Sequence, residues 1–211
     1  NNLESIGYFS ICNTALTSLW IPSKVSNINY DAFYKNNYLN TIYVDSGNPY
    51  YYSSDDVLFE NSTGRLMVYP YAKPDSEYIV PDGTKVIAAG AFDSPNLTKV
   101  ILSDSVTELE PNAFCNCTNL AELYISSGVD TIIDCFYSNP NLSLFNVSPN
   151  NKNFSTDADG SLCSKDGTKL IYCTRTAPKD YVVRNNVTCI GSEAFDGTNV
   201  TTITLSPSVT S

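Results

Sequence analysis

The chain has 211 residues, 42% of them apolar, with 22 acidic against 12 basic side chains, no histidine and a net charge of −10. That balance argues against nucleic acid, whose phosphates need clustered Lys and Arg, and against anionic membrane surfaces; there is also no 18-residue apolar run to insert into a bilayer. Without an imidazole there is no ordinary triad or general base, and the carboxylates gather only at turns, so no catalysis is expected.

Along the chain a small residue or its substitute repeatedly precedes phenylalanine: Tyr8-Phe9, Ala32-Phe33, Ala91-Phe92, Ala113-Phe114, Cys135-Phe136 and Ala194-Phe195. The phenylalanines are 24, 59, 22, 22 and 59 residues apart. Most are followed by strand-like segments: LTSLWIP from Leu16, LNTIYVD from Leu39, LTKVILS from Leu97, LAELYIS from Leu120, LSLFNVS from Leu142 and VTTITLS from Val200. Apolar residues at positions 1, 4 and 6 of each predict a short strand with one buried face. Strands ending in Val80 and Val183 fill the long intervals.

The last buried residues of these strands, Ile21, Val44, Val80, Leu102, Ile125, Val147, Val183 and Leu205, are separated by 23, 36, 22, 23, 22, 36 and 22 residues. A fixed period of this kind predicts stacked coils, each burying its apolar face against its neighbours. About eight coils of 22–23 residues are expected as one domain over 1–211, two of them carrying β-hairpin insertions near 48–73 and 151–177. The small residue before each phenylalanine leaves room for one ring per coil, since parallel coils lie roughly 4.8 Å apart. Val44 and Val147 are 103 residues apart, an offset that maps the first half onto the second. The pattern is interrupted at both ends, so a longer array is expected.

The first insertion reads VLFENSTGRLMVYP over 57–70 with Thr63-Gly64 at its turn, the second SLCSKDGTKLIYCT over 161–174 with Asp166-Gly167, a strong hairpin signal. The second turn pairs Cys163 with Leu170 and Cys173 with Gly160, so no bridge is expected between these cysteines. The seven cysteines have no metal-like spacing and are read as structural thiols. Cys12 and Cys117 stand three residues after a corner phenylalanine, where other coils have Asn36, Pro95, Asn139 and Thr198, a slot for small or amide side chains. Asp157-Ala158-Asp159-Gly160 lacks the later ligands of a calcium loop and is read as the opening of the second hairpin. Eight N-x-S/T sequons, from Asn61 to Asn199, become glycosylation sites only in a secreted eukaryotic protein.

Residues 97–120, LTKVILSDSVTELEPNAFCNCTNL, follow the pattern L-x-x-[LIV]-x-[LIV]-[PS]-x-x-V-x-x-[IL]-x-x-x-A-F-x-x-[CN]-x-x-L, which resembles the BspA-like leucine-rich repeat family over essentially the whole chain. The unit before Cys135-Phe136 departs from it by one missing residue and by cysteine in place of alanine. The resemblance implies a leucine-rich-repeat solenoid, mostly β with short irregular or helical corners. It also implies an extracellular or cell-surface protein acting in adhesion, with an extracellular or host-surface protein as its partner.

Position 5 of each strand points outward, which places Trp20, Tyr43, Ile79, Ile101 and Tyr124 in a solvent-facing row expected to run over neighbouring strands. An apolar stripe rimmed by polar groups is typical of a protein-binding surface, and these five are the candidate ligand contacts. The alternative is that β-propensity alone selects such residues there. Tyr50, Tyr51, Tyr52, Tyr69 and Tyr71 form a second candidate, to be weighed against packing between insertion and stack. The protein is expected to be monomeric, with no cofactor, metal, nucleic acid or inserted membrane segment. Two other roles remain open, a spacer with no ligand of its own and a carbohydrate-binding strip at Trp20 and Tyr43.

Overall fold

A computed structural model describes residues 2–210. Twenty strands, with no helix among the described residues, wind into a solenoid of about nine turns. All eight expected long strands are present and lie along one wall: Ser18–Ile21, Thr41–Val44, Glu77–Ile79, Lys99–Ile101, Glu122–Ile125, Leu144–Val147, Asp180–Val182 and Thr202–Thr204. A further rung begins where the Thr210 amide reaches the Thr188 carbonyl at 2.9 Å. The second wall is built of two-residue strands such as Val86–Ile87, Glu108–Leu109 and Thr131–Ile132, paired in parallel.

Strand alternation decides what is buried. Val100, Leu102, Leu123 and Ile125 are closed off from solvent, as positions 4 and 6 require. Leu205 at the last long strand is 58% exposed, and Leu16 and Ile203 are exposed too. Among the described residues these coils have a neighbour on one side only, so an inward-patterned residue there is covered on that side alone.

The aromatic file runs through the corners. Phe92 and Phe114 stack with centroids 4.8 Å apart and planes 3° from parallel, the separation that parallel-strand spacing imposes on rings at equivalent positions. Phe114 continues to Phe136 at 6.1 Å. In the long coils tyrosine takes the ring position: Tyr69 stacks on Phe92 at 5.3 Å and Tyr172 meets Phe136 edge-on at 5.4 Å. Tyr69 and Tyr172 thus form the two ends of the file, and beyond it Phe195 meets Tyr181 edge-on at 5.3 Å. Phe9 is the exception, an exposed ring outside the core.

The corners are irregular, and helical ones are absent among the described residues. Left-handed residues bracket the buried pair: Asn112 (φ 57°) and Asn116 (φ 53°) two places before and after Phe114, Asp134 (φ 42°) and Ser138 (φ 59°) around Phe136, Glu193 (φ 55°) and Gly197 (φ 70°) around Phe195. Two reversals of backbone hand within five residues turn the chain without helical hydrogen bonds, which explains the Asn and Gly found there.

The amide slot after each corner joins successive coils. Asn139 donates to the Phe114 carbonyl at 2.8 Å and accepts from the Cys117 amide at 3.0 Å. Asn36 does the same one block earlier, donating to Ile11 and Phe33 and accepting from Thr14. Cys117 fills its slot with a buried thiol 3.5 Å from the Phe92 carbonyl. Burial pushes the thiols of Cys115, Cys135 and Cys163 up to about 12 and that of Cys173 to about 11, so they stay protonated at neutral pH.

Both insertions differ from simple hairpins. Each is a three-stranded meander: Tyr51–Ser54, Val57–Glu60 and Arg65–Val68 in the first, Phe154–Thr156, Leu162–Ser164 and Lys169–Tyr172 in the second. The third strand of each joins the short-strand wall, Leu66 beside Ile87 and Leu170 beside Ile190. Cys163 faces Leu170 as the turn requires, and a bulge then moves Leu162 opposite Tyr172. The Asp157–Gly160 segment turns between the first two strands, the Asp157 carboxylate accepting from the Asp159 and Ser161 amides at 2.9 Å.

Candidate binding surfaces

On the long-strand wall the outward residues stand as alternation demands. Trp20 is 60% exposed, Tyr43 49% and Ile79 66%, while Ile101 and Tyr124 are half-buried. Trp20 lies opposite Tyr43, with ring centroids 6.4 Å apart. Ile79, Ile101 and Tyr124 follow one another in register, flanked by an ion pair of 3.5 Å between Lys99 and Glu122.

The row is nevertheless not continuous, which corrects the expectation of five residues on neighbouring strands. The wall is divided into groups of two, four and two strands. After Thr41–Val44 the tight Asp55-Asp56 turn of the first meander (φ 50° and 63°) occupies the place of the next long strand: the Ile42 amide donates to the Asp56 carbonyl at 3.0 Å and the Val44 amide to Ser53 Oγ at 3.1 Å. Lys73, 4% exposed, fixes this junction by ion pairs to Asp55 at 3.2 Å and to Asp75. The second meander interrupts the wall in the same way, the Phe145 amide donating to the Gly160 carbonyl at 3.3 Å beside an Arg184–Asp157 ion pair of 2.6 Å. Trp20 and Tyr43 thus form one patch, and Ile79, Ile101 and Tyr124 another.

The tyrosines of the first insertion separate by alternation. Tyr51 is buried with its hydroxyl accepting from the Ile28 amide at 3.0 Å, and Tyr69 is buried in the aromatic file. Tyr50 and Tyr52 are exposed, Tyr52 stacking on Phe59 at 5.0 Å.

Tyr71 belongs to a feature that sequence reasoning missed, a cleft in the corner ridge. Leu66 lies beside Ile87 and Tyr69 beside Phe92, yet two residues separate Leu66 from Tyr69 where four separate Ile87 from Phe92. The long coil therefore lacks the outward loop that its neighbours make, and a notch of about 280 Å³ opens between them. Tyr30, Tyr34, Tyr71 and Tyr137 line it, together with the carboxylates of Asp31 and Asp93. Lys35 Nζ lies over the Tyr34 ring, 5.3 Å from its centroid. Exposed rings continue the surface outward, Tyr8 being 6.1 Å from Tyr30 and Phe9 5.8 Å from Tyr34. Burial pushes the Asp93 carboxyl up to about 6, with the Asn116 amide and the Lys35 charge pulling the other way.

The second long coil makes the same notch and closes it. Asp196 and Ser138, the counterparts of Asp93 and Lys35 at the 103-residue offset, are joined by a Ser138 amide donating to Asp196 Oδ2 at 2.6 Å. Gly197 packs so tightly here that a Cβ on it would lie 3.1 Å from Pro140 Cα. Only the pairing of carboxylates and tyrosines near a 59-residue gap hints at the open notch in the sequence, and the skipped loop itself carries no local signature.

Among solved structures, the chain is similar to a leucine rich cell surface protein from Faecalibacterium prausnitzii A2-165, with 23% identity and a TM-score of 0.58 over 92% of this chain and 48% of that one. It is also similar to the pneumococcal vaccine antigen PcpA, with 21% identity and a TM-score of 0.61 over 97% and 60%. A leucine-rich repeat protein from Eubacterium ventriosum ATCC 27560 has 21% identity and a TM-score of 0.57 over 94% and 63%. The chain thus spans 48% to 63% of these proteins' own lengths, and at such identities the likeness is one of fold. No curated protein matches it. Six copies of the BspA type leucine rich repeat region match residues 1–66, 75–160 and 171–211, and the chain belongs to that family.

Proposed function

We propose that this chain is a non-catalytic adhesion module, exposed at a cell surface or secreted, that binds an extracellular protein through its long-strand wall. The observation that carries this reading is the pair of outward apolar patches, Trp20 with Tyr43 and Ile79 with Ile101 and Tyr124, on a chain of net charge −10. Large rings held rigidly on paired strands bring contact area at low entropic cost and are the residue types that dominate protein interfaces. Membership of the BspA-type family and the cell-surface name of one structural relative support the location.

Because the first meander separates the patches, a partner must either bridge it or use one patch alone. Capture of extracellular-matrix and mucosal proteins on a biosensor array tests the proposal. Trp20→Ala with Tyr43→Ala, and Ile79→Ala with Tyr124→Ala, are each expected to weaken capture by about tenfold or more. Capture of nothing by the wild-type chain, or capture indifferent to both pairs, overturns the assignment.

A further inference from the structure

The corner cleft lies away from the strand wall and has its own chemistry. Its walls are tyrosine rings, whose faces carry the negative part of the aromatic quadrupole and attract cations. The chain already makes use of this: Lys35 Nζ sits over Tyr34. Two carboxylates, Asp31 and Asp93, line the same space as this one lysine. Among the described residues Asp93 enters no ion pair, the others being Arg65–Glu110, Lys73–Asp55, Lys73–Asp75, Lys99–Glu122 and Arg184–Asp157.

The closed notch shows what a carboxylate at this position of the corner requires. Asp196 receives a backbone amide from the facing corner at 2.6 Å. At the first notch the corners stand apart, and Asp93 lines the cleft with Asn116 and the Lys35 charge nearby. A carboxylate partly withdrawn from water without a full counter-charge is costly, and a cation delivered to it beside aromatic rings offsets that cost by charge pairing and by contact with the ring faces.

We propose that this cleft receives a cationic side chain, a guanidinium or ammonium group presented by an exposed segment of a partner polypeptide. A space of about 280 Å³ takes one long side chain and no folded element, so the cleft reads a residue and not a surface. Anionic ligands meet Asp31 and Asp93 and are repelled. A neutral sugar finds rings to stack on but leaves the Asp93 charge uncompensated. The site does not depend on the strand wall, and its partner need not be the same protein.

The test is a titration of the isotopically labelled chain followed by amide resonances. N-acetyl-arginine amide is the probe, N-acetyl-citrulline amide its neutral isostere, and methyl mannoside and N-acetylglucosamine the saccharide arm. The arginine probe is expected to shift the amides of Gly90, Asp93 and Asn112, with citrulline at least about tenfold weaker because it keeps the shape and loses the charge. Asp93→Asn and, independently, Tyr137→Leu are each expected to weaken the arginine response, with folding confirmed by the spectrum itself. Trp20→Ala is expected to leave it unchanged, so failure of the strand-wall reading is distinguishable from failure here. Equal response to citrulline, response to a saccharide alone, no shift at the cleft, or indifference to both variants overturns the proposal.

Discussion

At the scale of single residues, Asp93 shows how an open notch costs stability. Its carboxyl is pushed from the ordinary 3.8 up to about 6 by burial, against Asn116 and Lys35. The folded chain therefore holds this proton more tightly than the unfolded chain, and stability falls as pH rises between those two values, the opposite of an ion-paired carboxylate. Asp93→Asn is expected to raise the urea midpoint at pH 7.5 and to leave it nearly unchanged about one pH unit below 3.8, where the carboxyl is protonated in both states. Asp31 and the Cys115 thiol face the same cleft and are unaltered in the variant. Equal midpoints at pH 7.5 would show that the carboxylate is not held out of water. The two aspartates and the tyrosines were visible in the sequence; their convergence was not, because it depends on a loop that the intervening coil omits.

At the scale of elements, each meander is clamped to the preceding coil by one buried asparagine. Asn151, 1% exposed, donates to the carbonyls of Ser126 and Val129 at 2.8 and 3.0 Å and accepts from the amides of Asn153 and Phe154 at 2.9 and 2.8 Å. Asn48 makes the same four bonds to Pro22, Val25, Tyr50 and Tyr51. Two donors and two acceptors on one side chain match this site, and no other residue of that size offers both. Asn151→Ala leaves four backbone groups unpaired and is expected to cost about 2 kcal/mol or more, read from chemical denaturation. A loss under about 0.5 kcal/mol would mean that water replaces the amide. The turns at Gly64 and Gly167 were legible, because positive φ demands particular residues. The first strand of each meander was not, since Tyr50-Tyr51-Tyr52 carries no alternation that marks which ring turns inward.

At the scale of the molecule, the stack behaves as a row of units that each lean on their neighbours. Val100 and Leu123 are fully buried in the central four-stranded group, whereas Ile203 and Leu205 are exposed in the last coil. Amide hydrogen exchange is expected to be slowest over Lys99–Ile101 and Glu122–Ile125 and fastest over Thr202–Thr204, with a gradient between them. Uniform protection along the chain would mean that it unfolds as a single unit.

The sequence alone determined the coil period, the inward and outward sides of each long strand, and the aromatic corner. Each rests on a pattern of apolar and small residues within about one coil, and burial leaves such a pattern no other solution. Tertiary structure alone decided that the strand wall breaks into three groups, that a tyrosine of each long coil ends the ring file, and that one notch stays open where its counterpart closes. These outcomes depend on which segment lies beside which across separations from 9 to 58 residues: the meander turn takes the hydrogen bonds of Thr41–Val44, and Ser138 reaches Asp196 where Lys35 and Asp93 stand apart. A periodic code specifies every rung in the same way, so the differences between rungs arise only once they are stacked.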